Sequence, residues 1–247
     1  MKTPDRLLAR LINCLADQFK DELVLKGGMQ LRLLNSPRRT QDLDYAWKRA
    51  GSRKFFAKKI KVSLEKLSGI KVSPLEDEVF TSRGFILDVE DDGNKEKAKV
   101  EINVVKAFHQ NPQPLATTPL ANQFNLEIKI VSSLALPEAF SHKLAAAIER
   151  GLARDFYDLT QFEPLTSFDE TTLKARLSKL SIDRQRFTSV SPQQASALLK
   201  KRFQELSEER IEQELSGLLD EAQMRGIRTI MAACTGRIAA QLEAMQI

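Results

Sequence analysis

Soft metal ligands are scarce in this chain, which has two cysteines and two histidines in 247 residues. Cys14 and Cys234 lie far apart and form no Cys-x-x-Cys pair. That spacing argues against a thiolate metal site and for two buried thiols in a reduced compartment. So few histidines argue against a His-based zinc site, and His142 reads as a neighbour of chemistry elsewhere, not a ligand. No apolar run approaches the roughly 20 residues that span a bilayer. The opening Met1-Lys-Thr-Pro-Asp-Arg6 has no apolar leader core. A cytoplasmic protein without a membrane partner is expected. No internal repeat or low-complexity tract is present. What remains is a folded composition, 42% hydrophobic and 29% charged, long enough for one large or two small domains. The net charge of +5 permits a polyanionic partner without demanding one.

The informative stretch is Leu25-Lys-Gly-Gly-Met-Gln-Leu-Arg-Leu-Leu-Asn-Ser-Pro-Arg-Arg-Thr-Gln-Asp-Leu-Asp-Tyr45. A short apolar run, Glu22 to Leu25, stops at Gly27-Gly28. Paired glycines let backbone N–H groups approach a ligand closely. Apolar residues at 29, 31, 33 and 34 predict two turns of helix before Pro37, and a glycine turn at a helix start suits phosphate. Asp42 and Asp44 then alternate with Leu43 and Tyr45. On a strand both carboxylates share one face. Their repulsion is relieved by a cation between them, and a hard divalent ion suits oxygen ligands.

In chain order, residues 4 to 19 predict a helix capped by Thr3, with Leu7, Leu8, Leu11, Ile12, Leu15 and Phe19 on its packed stripe. A second helix, Arg53 to Leu67, buries Phe56, Ile60, Leu64 and Leu67. From Lys48 to Lys71 there are nine Lys or Arg and one acid, Glu65. Such a run is usually a solvated face, and its one-sided charge and position directly after the carboxylate pair give a nucleic-acid surface equal standing. Three strands follow, at 70–73, 84–90 and 99–105, with a hairpin at Asp91-Asp92-Gly93-Asn94. In the last of them Glu101 and Asn103 face away from Val100, Ile102 and Val104. A further carboxylate beside the Asp-x-Asp strand would complete a three-carboxylate site for two metal ions. Residues 109 to 121, with three prolines, predict a linker or lid, and Asn125 to Val131 predict a strand. Read as one helix, Pro137 to Leu159 puts Lys143, Arg150, Arg154 and Asp158 on one stripe, with Asp155 adjacent and Gly151 a possible break. A stripe of cations followed by carboxylates suits a triphosphate. From Asp169 onward the chain predicts helices at 169–180, 191–206, 208–223 and 226–245. Leu215, Leu218, Leu219, Met224, Ile227, Ile230 and Met231 are the expected core there. The fold class is α/β (α+β), with an α/β domain at 1–132 and a helical domain at 133–247.

Glycine turn, helix, Arg-Thr and Asp-x-Asp in this order resemble the polymerase-beta-like nucleotidyltransferases. The wording Lys26-Gly27-Gly28 and Arg39-Thr40-Gln41-Asp42-Leu43-Asp44 resembles their AbiEii/AbiGii toxin branch. Lys143-x6-Arg150-x3-Arg154-Asp155-x2-Asp158 is similar to that branch's third motif, and Glu101 takes a place where many relatives carry Asp. The resemblance covers roughly residues 20 to 160. It implies a mixed-sheet nucleotidyltransferase domain followed by a helical one, in a toxin of toxin–antitoxin or abortive-infection systems with a cognate antitoxin. It also implies nucleoside triphosphate and magnesium, and transfer to the 3′ end of tRNA in some members. On this reading Asp42, Asp44 and Glu101 hold two Mg²⁺, and Gly27 and Gly28 present N–H groups to phosphates. Thr40 orders the turn, Lys143 contacts the triphosphate together with Arg150 and Arg154, and Asp155 or Asp158 orients Lys143. The RNA acceptor lies on the basic helix Arg53 to Leu67. The rival readings are a nucleotide- or nucleic-acid-binding module on a degenerate transferase fold, and transfer to a protein acceptor.

Overall fold

The computed structural model describes residues 4–48, 50–182 and 185–245. It divides into two compact units, Met1–Leu134 and Ala135–Ile247.

The first unit is built on a seven-stranded mixed sheet. Its elements are α1 (Asp5–Phe19), β1 (Leu23–Lys26), α2 (Gly27–Leu33), β2 (Asp42–Lys48), α3 (Arg53–Leu64), β3 (Ile70–Val72), β4 (Gly84–Asp91), β5 (Glu96–Val105), β6 (Gln113–Ala116), α4 (Thr118–Phe124) and β7 (Ile130–Ser133). The strand order is β3-β4-β5-β2-β1-β7-β6. β2 runs parallel to β5 and β1 parallel to β7, and the other pairs are antiparallel. The alternation of β2 decides which face is core. Leu43, Tyr45 and Trp47 lie in register with Val100, Ile102 and Val104 of β5, and with Leu25 and Leu23 of β1. This face packs with the apolar stripe of α1 and with Phe56, Ile60 and Leu64 of α3. Trp47 stacks on Phe56 with ring centroids 4.0 Å apart. The expected Thr3 cap of α1 lies outside the described residues.

Three local expectations are corrected here. Residues 109 to 121 are not a free linker, because β6 and α4 occupy most of the span. Pro114 fits β6 because that strand is the sheet's edge, where a missing N–H costs no ladder bond. The strand expected at Asn125 to Val131 begins only at Ile130. Asn125 adopts a left-handed conformation that ends α4, and Ile128 and Ile130 are exposed, so their apolar alternation marks no buried face. Cys14 is only partly buried, while Cys234 is buried, so the expected pair of buried thiols is half met.

The second unit comprises α5 (Leu136–Arg150), α6 (Ala153–Phe162), α7 (Glu170–Leu177), β8 (Leu180–Ile182), β9 (Gln185–Thr188), α8 (Pro192–Gln204), α9 (Glu208–Leu215), α10 (Glu221–Met224) and α11 (Ile227–Ala244). It is not wholly helical after Asp169, since β8 and β9 pair as a small antiparallel ribbon. The predicted helix at 208–223 is two helices, separated where Asp220 caps α10 through a reciprocal bond with Gln223. Leu215, Leu219, Ile227 and Met231 are core as expected, but Ile230 is exposed. Phe140 stacks on Phe168 with centroids 4.1 Å apart.

Candidate functional site

The solvent-side face of the first unit's sheet carries one charged row across three neighbouring strands. Lys26 of β1 is registered with Asp44 of β2, and Asp44 with Glu101 of β5. Registered partners share a face, so Asp44 lies between an ammonium and a carboxylate. Lys26 Nζ is 3.8 Å from Asp44 Oδ1. Glu101 Oε1 accepts from Asn103 Nδ2 at 2.8 Å, two residues along the same strand. Asp42 occupies the next row on this face, registered with Lys99. Asp42, Asp44 and Glu101 are partly exposed. The parallel pairing thus brings a third carboxylate beside the Asp-x-Asp strand.

The glycine turn is shaped around the same side chains. Gly27 has φ +75°, and a Cβ there would sit 2.5 Å from Asp44 Oδ2. A Cβ on Gly28 would sit 2.7 Å from Arg38 Nη2 and 3.1 Å from Thr40 Oγ1. Only glycine leaves room for the Asp44 carboxylate and the Arg38 guanidinium to lie this close to the turn. α2 starts directly at Gly27, not at Met29. Thr40 is buried, and its hydroxyl donates to the Asp42 carbonyl at 3.3 Å, which ties down the chain just ahead of the carboxylates. Sequence reasoning missed Arg38. The quoted motif carries Arg39, which is exposed, whereas Arg38 is buried and donates to the Arg39 carbonyl at 3.1 Å. Nothing in the doublet distinguishes the two. Lys26 was also missed as a site residue, because the apolar run Leu23-Val24-Leu25 before it does not alternate and only the β1–β2 register sets it opposite Asp44.

The donor set suits a hard divalent cation in kind, with carboxylates on one face of adjacent strands. As the side chains lie, no group of three His, Cys, Asp or Glu among the described residues closes around a common point. Asp44 and Glu101 are turned instead toward Lys26 and Asn103.

The second unit holds a separate charged cluster. Gly151 adopts φ +59° and ends α5, so Lys143 to Asp158 is not one helix, and the single-stripe expectation is corrected. On a straight helix Lys143 and Asp158 would be about 22 Å apart along the axis. The break folds α6 back, and Lys143 Nζ lies 2.5 Å from Asp158 Oδ2. Asp155 Oδ1 accepts from Arg150 Nη2 at 2.6 Å and lies 3.4 Å from Lys143 Nζ. Asp155 and Asp158 are fully buried, and Lys143 is partly buried. Asp155 Oδ2 has no hydrogen-bond partner among the described residues. Arg154, on α6 past the Gly151 break, is exposed. His142 Nε2 is 4.0 Å from Glu138 Oε1.

The family model described as the nucleotidyl transferase AbiEii toxin of type IV toxin–antitoxin systems matches residues 6–233. The chain belongs to this family. It is a nucleotidyltransferase toxin, and membership implies a cognate antitoxin. Its fold is similar to that of MenT4, a nucleotidyltransferase toxin from Mycobacterium tuberculosis H37Rv, at 21% identity and a TM-score of 0.60. That match covers 97% of this chain and 89% of the other. It is also similar to JHP933 from Helicobacter pylori, at 17% identity and a TM-score of 0.56, covering 97% and 91%. Both likenesses concern the fold. No sequence among curated proteins matches the chain. Among the described residues, no helix of this AbiEii-family toxin is long and apolar enough to cross a membrane.

Proposed function

We propose that this AbiEii-family toxin transfers a nucleotide from a nucleoside triphosphate to an RNA acceptor, tRNA above other RNAs, in a reaction that needs magnesium. The observation that carries the proposal is the row Lys26–Asp44–Glu101 with Asp42 beside it on the same sheet face. Asp42, Asp44 and Glu101 would hold two Mg²⁺. Bound there, the ions supply a lowered pKa for the attacking hydroxyl and charge compensation for the departing pyrophosphate. The chain's own residues do the rest. Gly27 and Gly28 admit phosphate oxygens close to the backbone. Thr40 fixes the approach to Asp42 through its bond to the Asp42 carbonyl. Lys26 balances the charge of Asp44 before substrate arrives.

In the second unit Lys143 presents its ammonium to the triphosphate, held by Asp158 at 2.5 Å. Asp155 steadies Arg150, a second cation for phosphate oxygens. The assignment of these two carboxylates rests on that difference in distance. Arg154 joins the phosphate-contacting set as its exposed member. The protein acts where it is made, in the cytoplasm, and its antitoxin restrains it there. The test incubates the purified protein with each labelled triphosphate in turn, Mg²⁺ and total tRNA, and scores which macromolecule takes label. Label on tRNA with one triphosphate is the expected result. Label on protein alone would replace the acceptor, and binding of nucleotide without turnover would replace the reaction.

A further inference from the structure

The basic helix α3 has one outer stripe unlike the rest of its surface. Arg53–Leu64 contains Arg53, Lys54, Lys58, Lys59 and Lys61 and no acid. The structure sorts these cations. Lys61 Nζ is tied to Glu65 and to the Val72 carbonyl, both at 2.6 Å. Lys59 Nζ lies 3.6 Å from Glu22 Oε1 and 5.0 Å from the Phe19 ring centre. Lys54 Nζ pairs with Asp77 at 3.2 Å and lies 5.8 Å from the Phe80 ring centre. Arg53 donates to the Thr81 carbonyl at 2.7 Å. Lys58, and Lys66 just past the helix end, are exposed and have no ion pair among the described residues.

On the same stripe Phe55, 71% exposed, lies one turn before Lys58, and Val62, 47% exposed, lies between Lys58 and Lys66. Residues 55, 58, 62 and 66 recur at the spacing of one helix face. Their inner counterparts Phe56, Ile60 and Leu64 are buried. Phe55 is the most exposed of the large apolar residues in the described chain, and Lys58 is the nearer of the two cations outside any ion pair.

We infer that this outer stripe is a docking surface for a single-stranded stretch of nucleic acid. Phe55 stacks on one base, and Lys58 and then Lys66 meet phosphates further along the strand, on the same side of that base. The inference rests on the RNA-acceptor reading and says where the acceptor is held. The choice of occupant follows from the surface. A flat aromatic face one turn from Lys58, with a second cation outside any ion pair further along at Lys66, matches a polyanion that carries π-faces. Two exposed apolar side chains about 10 Å apart along the helix are too few for the apolar centre of a protein interface. A duplex keeps its bases stacked on one another and offers none to Phe55.

The test uses the full chain and a labelled single-stranded RNA of about 12 nucleotides, with the same sequence as a duplex for comparison. Binding is followed by anisotropy across a salt series. Phe55→Ala is expected to weaken single-strand binding about five- to a hundredfold, and Phe55→Trp to retain it. Lys58→Glu with Lys66→Glu should reduce the slope of log affinity against log salt by about 1.4. Triphosphate affinity should stay unchanged in every variant, since all three positions are exposed. Wild-type affinity in Phe55→Ala would overturn the inference. So would an equal Phe55 dependence for the duplex, or for polyglutamate as an acidic polypeptide. Transfer to tRNA is scored separately in the wild type. Its absence would remove the acceptor reading, while the oligonucleotide series would still decide the surface.

Discussion

Asp44 and Glu101 face each other in register across the parallel β2–β5 pair, and Lys26 flanks Asp44 on its other side. Two carboxylates beside each other repel, so removing one should not weaken the fold. Asp44→Ala frees Lys26 from a long, partly exposed pairing worth at most about 1 kcal/mol. Transfer should nevertheless fall by at least about a hundredfold, as expected when charge stabilisation is removed from a reacting centre. Asp42→Ala should behave alike. Both variants are checked by labelled-nucleotide incorporation, growth inhibition and thermal melting. Full activity at limiting Mg²⁺ with an unchanged melting curve would take these carboxylates out of the reaction.

Gly27→Ala should act on fold and chemistry together. The backbone at φ +75° disfavours a side chain, and the new Cβ would meet Asp44 Oδ2 at 2.5 Å. A cost of about 1–2 kcal/mol is expected, which in a chain of this size lowers Tm by roughly 2–8 °C. Moving Asp44 aside should also reduce transfer. Gly51→Ala is the control, because nothing lies within 4 Å of a Cβ there and its φ is not positive. Equal melting temperatures for the two variants would count against the crowded turn.

Asp91 gives a pH prediction. Its side chain is only 3% exposed and is paired with Arg10 at 2.5 Å. Burial alone would raise its pKa. Hydrogen bonds from the Asn94 side chain and backbone, the Arg10 charge and the Gly93 N–H outweigh burial and hold it below the usual 3.8. A folded pKa below the unfolded one means stability that is present above about pH 4 and lost as pH falls through the folded value. Asp91→Asn should therefore be less stable than the wild type at neutral pH, with the gap closing on acidification. Urea melts from pH 6 to pH 2.5 show the outcome. A gap independent of pH would mean that the Asp91 charge contributes nothing.

Much of this was legible because strand alternation is strict. Leu43, Tyr45 and Trp47 had to be core once Asp42 and Asp44 were solvent-side, and Asp91-Asp92-Gly93-Asn94 had to turn β4 into β5. The parts that misled are those where local pattern and burial disagree. Leu126, Ile128 and Ile130 alternate like a strand, yet Ile128 and Ile130 are exposed beside a left-handed Asn125. Pro114 looked like a strand breaker and sits in an edge strand that tolerates it. Arg38 was invisible because burial of one arginine in a doublet is settled by the Gly28 turn it packs on. The clustering of Lys143 with Asp155 and Asp158 depends on one backbone residue, Gly151, whose positive φ redirects everything after it.

Lys143 is the sharpest test in the second unit. Its ammonium lies 2.5 Å from Asp158 Oδ2 and 3.4 Å from Asp155 Oδ1, and both carboxylates are fully buried. Lys143→Ala would take the Lys143 ammonium away from both Asp158 and Asp155. Removing one partner of a buried pair costs about 3–5 kcal/mol, so loss of activity in this variant cannot by itself be read as lost chemistry. Lys143→Arg keeps the charge and should keep most of the stability. Its planar fork cannot reproduce an ammonium point contact, so triphosphate affinity should fall and not recover fully. Asp155→Asn separates the two carboxylates. It loosens Arg150 while leaving the 2.5 Å Lys143–Asp158 contact in place, so it should weaken nucleotide binding less than Asp158→Asn. Calorimetric titration with nucleotide, beside a urea melt of each variant, gives both numbers. Unchanged nucleotide affinity in a folded Lys143→Arg would place the ammonium away from the triphosphate and leave the cluster a purely structural one.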